Sequence, residues 1–200
     1  MSVSFAESQT KRNLLRAFAG ESQAGNRYAF SAGLAKKHGL YVVEAVFRFT
    51  ASQERAHARA FYDYLEDCAG ENIPIDGTYP VDLYPTVLEH LRAAQHNEYQ
   101  EYEHDYTGFA HTAKEEGFPE ISHLFSQVAR IEKVHGDRFG RFADLLEQNK
   151  LFINETECEW MCLNCGYVLT ATRPPEQCWV CKHDQGWFVR VELVPFLPKR

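Results

Sequence analysis

The chain has 200 residues, 44% of them hydrophobic, and a formal net charge of -7, which is enough for one sizeable core plus a small appendix. The acidic balance and the lack of any basic block argue against nucleic acid as a main partner. No apolar run is long enough to span a bilayer, and Met-Ser-Val-Ser-Phe-Ala-Glu at the start is no secretion signal, so a soluble cytoplasmic protein with no membrane partner is expected.

From about Phe5 to Lys37, Leu14, Phe18, Glu21, Gly25, Tyr28 and Ala32 recur at alternating steps of four and three, which is one face of a helix. His38-Gly39 stops it. A second helix is expected from about Tyr41 to Cys68, with Val43, Phe47, Thr50, Glu54, His57, Phe61 and Tyr64 inward and Ala69-Gly70 at its end. Pro74, Gly77, Pro80 and Pro85 then forbid a helix, so Glu71 to Pro85 should be an extended crossover. A third helix, about Thr86 to Glu116, presents Val87, Leu91, Ala94, Glu98, Glu101 and Asp105. Gly117 ends it and Pro119 opens the fourth, which runs to about Gln148 with Ile121, Phe125, Val128, Glu132, His135, Phe139, Phe142 and Leu146 on one side. The expected fold is mainly α: a four-helix bundle over residues 1–150, built as an up-down pair, a long crossover and a second pair.

Two of these faces carry the same device. In Glu54-Arg55-Ala56-His57 and again in Glu132-Lys133-Val134-His135, a Glu and a His stand one turn apart on an otherwise apolar stripe. Residues in a helical hairpin are level when the turn lies midway between them. Glu21 and Glu54 are centred on His38, and Glu98 and Glu132 on Glu115, so Glu21, Glu54, His57, Glu98, Glu101, Glu132 and His135 can share one layer. The two hairpins form a weak repeat, with 33 residues from Glu21 to Glu54 and 34 from Glu98 to Glu132. Five carboxylates together in a low-dielectric interior repel one another unless cations lie between them. Carboxylate and imidazole ligation without cysteine suits a pair of iron or manganese ions. A single Glu is ordinarily a solvated surface group; the coincidence of all of them on the apolar stripes is what points to metal. Tyr28 and Tyr106 read as core aromatics whose hydroxyls can reach a glutamate of the layer or a bound peroxide. His90, His96, His104, His111 and His123 lie off the layer and are expected at the surface, and Cys68 is expected to be simple packing.

After Leu151 the helical period stops and a short β-rich segment, residues 151–200, begins. Cys162-Leu163-Asn164-Cys165 and Cys178-Trp179-Val180-Cys181 are two CxxC knuckles, 12 residues apart, that can hold one tetrahedral metal, zinc or a mononuclear iron. So small a segment needs that metal in order to fold. Cys158 is a spare thiol.

A bundle with this acid and histidine layer followed by this CxxC pair resembles rubrerythrin. The resemblance is carried by Gly20-Glu21-Ser22 through Arg27-Tyr28-Ala29, Glu54 to Ala58, Glu98-Tyr99-Gln100-Glu101 leading to Tyr106 and Gly108-Phe109-Ala110, Glu115 to Phe118, Glu132 to His135, and Trp160 to Tyr167. It implies a ferritin-like bundle with a non-haem di-iron centre and a rubredoxin-like site in the tail, one iron held by four cysteines. By resemblance Glu54 and Glu132 would bridge the irons, Glu21, Glu98 and His135 would be terminal ligands, and Glu101 and His57 would exchange at one iron as the redox state changes. Tyr28 and Tyr106 would stand beside the reacting centre. The activity implied is reduction of hydrogen peroxide to water in oxidative-stress defence. Its electrons would come from NAD(P)H through an external reductase or rubredoxin, in a head-to-tail homodimer that brings one subunit's tail to the other's di-iron layer. No Gly-rich dinucleotide motif follows a strand pattern, which is why the reductase is expected to be separate. The chain departs from the family pattern at Tyr106-Thr107, where Tyr-Pro is usual, and at Trp179, a frequent Pro position. The alternatives are a ferritin-like ferroxidase that handles iron and a zinc-stabilised structural protein.

Overall fold

The chain is described by a computed structural model over residues 3–194. Helix α1 (Gln9–Lys37) does not start at Phe5: Phe5–Glu7 form a separate turn, and Ser8, in extended backbone, accepts from the Lys11 amide to cap the helix. The next two orphan amides are satisfied from far away. Glu116 accepts from the Gln9 N–H (2.9 Å), the Thr10 N–H (2.8 Å) and the Thr10 hydroxyl (2.6 Å), closing the start of the first rod onto the end of the third. Partial burial pushes the Glu116 pKa up, but the Thr10 hydroxyl and the two amides prevail and hold it below its ordinary value. The contact therefore stabilises the fold above the unfolded carboxyl pKa and loses its effect as pH falls through the lower folded value. Glu116→Gln should cost about 1 kcal/mol at neutral pH. That difference should start to shrink below about pH 4, near the unfolded carboxyl value, and vanish only below the lower folded one; urea midpoints of both proteins at neutral pH and through the acid range check it.

Helix α2 (Tyr41–Asp63) follows Gly39, whose φ of 69° turns the chain. It stops a turn earlier than the apolar pattern suggests. Glu66–Cys68 form a separate 3-10 turn, and Tyr64, expected inward, is 39% exposed beyond the helix end. The segment 71–85 holds no helix and no strand, in keeping with its prolines. The expected third helix is two pieces, α3 (Val87–Gln100), opened by a Thr86–Glu89 capping box, and α4 (Tyr106–Glu116), joined by a π-helical turn over Glu101–Asp105. A π turn inserts an extra residue into the helical count. It rotates Asp105 out to solvent and puts Tyr106, only 2% exposed, on the inner face that spacing had assigned to Asp105. Gly117 in the left-handed region and Pro119 at the first position of α5 (Pro119–Glu147) make the last turn as expected.

The α1–α2 hairpin and the α3–α4–α5 hairpin pack as a four-rod bundle. One apolar cluster around Phe47, Leu91 and Phe139 and a second around Leu14, Phe61 and Phe125 lie at its two ends, leaving a polar layer between them. His90 is not a surface imidazole: it is buried, with Nδ1 2.8 Å from the Ser31 hydroxyl and Nε2 3.0 Å from the Tyr84 carbonyl, tying α3 to α1 and to the end of the crossover. No helix among the described residues is long and apolar enough to cross a membrane.

The tail is an antiparallel three-stranded sheet in the order β2-β1-β3, with β1 (Cys158–Cys162) central, β2 (Val168–Ala171) and β3 (Phe188–Arg190). It docks on the α1–α2 turn. Tyr41 stacks on Trp187 at 4.6 Å, and the backbone at Gly186 comes so close that a Cβ there would lie 1.9 Å from the Gly39 carbonyl oxygen, so only glycine fits. Val189 joins the bundle's apolar cluster, and Arg190 donates to the carbonyls of Lys150 and Ile153, each at 2.7 Å.

Candidate metal centre

Each rod contributes one glutamate to the polar layer, and Glu21, Glu54, Glu98 and Glu132 are all 0% exposed. The two Glu-x-x-His pairs bring His57 and His135 to the same level, their rings stacked 5.5 Å apart. Two overlapping groups result: Glu21, Glu54, His57 and Glu132, and Glu54, Glu98, Glu132 and His135, in each of which one ligand atom per residue lies within 4.8 Å of the others. Glu54 and Glu132 belong to both groups because each divides its oxygens. Glu132 Oε1 is 3.0 Å from His57 Nδ1 and its Oε2 is 2.8 Å from His135 Nδ1; Glu54 Oε2 is 3.5 Å from His57 Nδ1 and its Oε1 is 3.0 Å from His135 Nδ1.

The outer glutamates divide theirs differently. Tyr106 donates to Glu21 Oε1 and Tyr28 to Glu98 Oε1, each at 2.5 Å, leaving one oxygen of each carboxylate turned inward. Those inward atoms have no hydrogen-bond partner: Glu21 Oε2, Glu98 Oε2, both oxygens of Glu54 and of Glu132, and Nδ1 of both histidines. Buried polar atoms are rarely left in that condition. Burial, and after it the charges of Glu132 and Glu54, push the Glu21 carboxyl well above its ordinary pKa; burial and then Glu54 do the same to Glu98. Carboxylates so placed either keep a proton or share cations. Two divalent ions, each with three carboxylate oxygens and one imidazole nitrogen, match the orphaned atoms group by group.

Glu101, which spacing placed in the layer, is partly exposed and belongs to neither group. It opens the π turn and lines a cleft beside the Glu21–His57 group. Arg138, which the sequence reading did not single out, donates to Thr50 Oγ1 (2.8 Å) and Gln53 Oε1 (2.9 Å), cross-linking α5 to α2 one turn from the ligands. Its position three residues after His135 was the available signal.

In the tail, Cys162, Cys165, Cys178 and Cys181 converge with all four Sγ atoms within 4.8 Å of one another. Cys162–Cys181 and Cys165–Cys178 are each 3.7 Å apart, close to the edge of about 3.8 Å in a tetrahedron with metal–sulfur bonds near 2.3 Å. The two knuckles are built alike. Cys162 N–H donates to Tyr167 O and Gly166 N–H to Cys162 O, while Cys178 N–H donates to His183 O and Lys182 N–H to Cys178 O; Gly166 and Lys182 both take positive φ. Trp179, at the unusual position, is 64% exposed and packs near Tyr167 rather than disturbing the thiolates.

Comparison with known proteins covers both parts of the chain. The family profile for Rubrerythrin matches residues 12–143, and that for the rubrerythrin rubredoxin-like domain matches residues 160–189. The chain is 41% identical over 188 residues to the rubrerythrin of Porphyromonas gingivalis (strain ATCC BAA-308 / W83), covering 94% of this chain and 92% of that one. A nigerythrin structure in a mixed-valence state superposes with a TM-score of 0.59 at 26% identity, over 94% of this chain and 91% of the other. The Mycobacterium tuberculosis bacterioferritin BfrA gives a TM-score of 0.63 at 17% identity over 74% of this chain and 91% of its own, a likeness of fold alone.

Proposed function

The chain belongs to the rubrerythrin family, and on that premise we propose that it reduces hydrogen peroxide to water in oxidative-stress defence, with electrons relayed through its tail from an external NAD(P)H-dependent reductase or a separate rubredoxin. The family's di-iron site lies in the bundle and its rubredoxin-like four-cysteine site in the tail, and we place the boundary between the two domains near residue 150. The observation that carries the reading is the division of oxygens at Glu54 and Glu132, which offers two cations a common pair of bridging carboxylates in a buried layer.

Glu54 and Glu132 would bridge, Glu21, Glu98 and His135 would be terminal, and His57 would complete the first group, with Glu101 the carboxylate that replaces it on a change of redox state. Iron held by these residues would supply the two electrons that, with two protons, turn one hydrogen peroxide into two waters. Tyr106 and Tyr28 fix which oxygen Glu21 and Glu98 offer. Burial first, and then the nearby carboxylates, push both phenols well above their ordinary pKa, so each keeps its proton and donates. Phe61 and Phe125 on one side and Phe47 and Phe139 on the other keep bulk water from the layer.

The relay favours a pair of chains. The tail docks at Tyr41, and Glu54 lies 13 residues further along α2, roughly 20 Å at 1.5 Å per residue. A head-to-tail second copy would bring its own tail nearer to the layer. We place the protein in the cytoplasm. To test the reading, iron-loaded protein is reduced without oxygen and titrated with hydrogen peroxide; one peroxide consumed per pair of bundle irons and half a peroxide more per reduced tail iron, with no further iron taken up, is expected. Continued uptake and oxidation of Fe(II) beyond the site's own complement, with little peroxide consumed, would instead mark an iron-handling ferroxidase.

A further inference from the structure

A cleft of about 490 Å³ lies between α1, the Glu101 turn and the crossover segment 71–85, a size usual for small-molecule sites. Its inner wall includes Glu101 and Tyr106, so it reaches the Glu21–His57 side of the layer. Tyr28, the partner of Glu98, is not part of the lining and packs against Phe139 at 4.9 Å and Phe47 at 6.0 Å.

Gly20 lines this cleft together with Tyr106. It sits in the interior of α1, where glycine weakens a helix relative to alanine. Nothing about the backbone demands it, since Gly20 is not among the residues of positive φ. Packing does not demand it either: a Cβ there would meet Tyr79 Cε1 at 3.8 Å and the Tyr106 hydroxyl at 4.0 Å, ordinary contact distances. What a larger side chain would do is fill the space between Tyr79 and Tyr106. Tyr79 covers that space from the crossover, its hydroxyl donating to the Arg16 carbonyl at 3.2 Å. Gly77 lies tightly under the Tyr79 ring, where a Cβ would come within 2.9 Å. The crossover is fastened over the cleft by the Arg16–Asp76 and Arg27–Asp82 ion pairs, with Asn97 also donating to Asp82 at 3.0 Å.

Resting on the peroxidase reading above, we propose that Gly20 and Tyr79 form the passage by which hydroperoxide reaches the Glu21–His57 side of the layer. Gly20 leaves the passage open and Tyr79 limits its width, which selects hydrogen peroxide over bulkier organic hydroperoxides. Both act by shape, as specificity-determining residues; neither side chain is a metal ligand, although Gly20 directly precedes the ligand Glu21.

The test compares iron-loaded wild type, Gly20→Leu, Gly20→Val and Tyr79→Ala, matched for iron content and visible spectrum. Stopped-flow binding of azide to the oxidised protein reports access without turnover; kcat/KM is measured for hydrogen peroxide and for cumene hydroperoxide. Gly20→Leu should slow azide association at least tenfold without altering the final spectrum, and lower kcat/KM for hydrogen peroxide in proportion. Tyr79→Ala should raise the cumene-to-hydrogen-peroxide ratio of kcat/KM at least tenfold. Azide association at the wild-type rate in Gly20→Leu, or in Gly20→Val if the leucine variant does not load iron, overturns the passage. An unchanged ratio in Tyr79→Ala overturns the selection by width. If wild type consumes no peroxide, the peroxidase reading fails alone, because azide association still decides whether the passage exists.

Discussion

Glu132→Ala is expected to release both bundle irons together, whereas Glu98→Ala should release mainly the iron on the His135 side. The difference follows from how the oxygens are divided. Glu132 Oε1 and Oε2 face His57 and His135 at 3.0 and 2.8 Å, so deleting one side chain removes a ligand from each group. Glu98 belongs to one group only and turns its second oxygen to Tyr28. Losing even an outer-shell partner can cost about 10–100-fold in affinity or activity, so peroxide turnover in Glu132→Ala should fall by at least about 100-fold, the upper end of that range. Tyr106→Phe, which removes only the hydrogen bond to Glu21, should keep both irons and fall within the same span of about 10–100-fold. Iron quantitation per chain alongside peroxide consumption checks the series. A Glu132→Ala protein that kept either iron at full occupancy would falsify the shared-bridge arrangement.

That division of oxygens was not legible in the sequence, although the layer itself was. Steps of three and four on apolar stripes place Glu21, Glu54, Glu98, Glu132 and both histidines correctly, because a regular helix repeats about every 3.6 residues and the two hairpins have matching turns at Gly39 and Gly117. The same arithmetic fails after Gln100. No residue type announces a π turn, so counting on from Glu98 carries Asp105 inward, whereas the structure turns it to solvent; Tyr106, expected as a core aromatic within reach of a glutamate of the layer, is buried there. Glu101 opens that irregular turn and lines the cleft, outside the two ligand groups yet close enough to the layer that burial, and after it the charges of Glu98, Glu132 and Glu54, push its carboxyl well above its ordinary pKa. A π turn commonly marks a functional position, and here it sits between Glu101 and the phenol of Tyr106 that holds Glu21. The misplacement of His90 has another cause. Its burial depends on Ser31 and the Tyr84 carbonyl, one partner 59 residues away and the other on an irregular segment, which periodicity along one helix does not register. In the tail the reverse holds: the knuckle spacing shows the four ligands directly, while the docking of the sheet on Gly39 and Tyr41 has no local signal beyond an unremarkable Gly186.

Cys178→Ser should undo the tail while leaving the bundle able to react once. Cys178 is 0% exposed and shares a very small core with Trp160, Cys162 and Phe188. Those side chains are too few to hold a sheet alone, and a structural tetrathiolate metal is worth on the order of 10 kcal/mol of folding free energy in comparable small domains. Losing one ligand should therefore release the metal and unravel the strands, exposing the stretch after Lys150 to protease as the Arg190 bonds to Lys150 and Ile153 break. The bundle loses the docking of Trp187 on Tyr41, the buried Val189 and the partly buried Met161, Leu163, Leu193 and Val194 at one end of its core, and its metal layer includes none of these. Turnover driven by NAD(P)H and a reductase should fall to the background left without the relay, yet protein reduced chemically in the bundle should still consume its equivalent of peroxide. Cys158→Ser is the control: Cys158 is half-buried at the start of β1 and outside the tetrad, and its replacement should leave the tail's visible bands unchanged. Reductase-driven turnover that survived intact in Cys178→Ser would show that electrons reach the bundle without the tail, and the thiolate site would then serve folding alone.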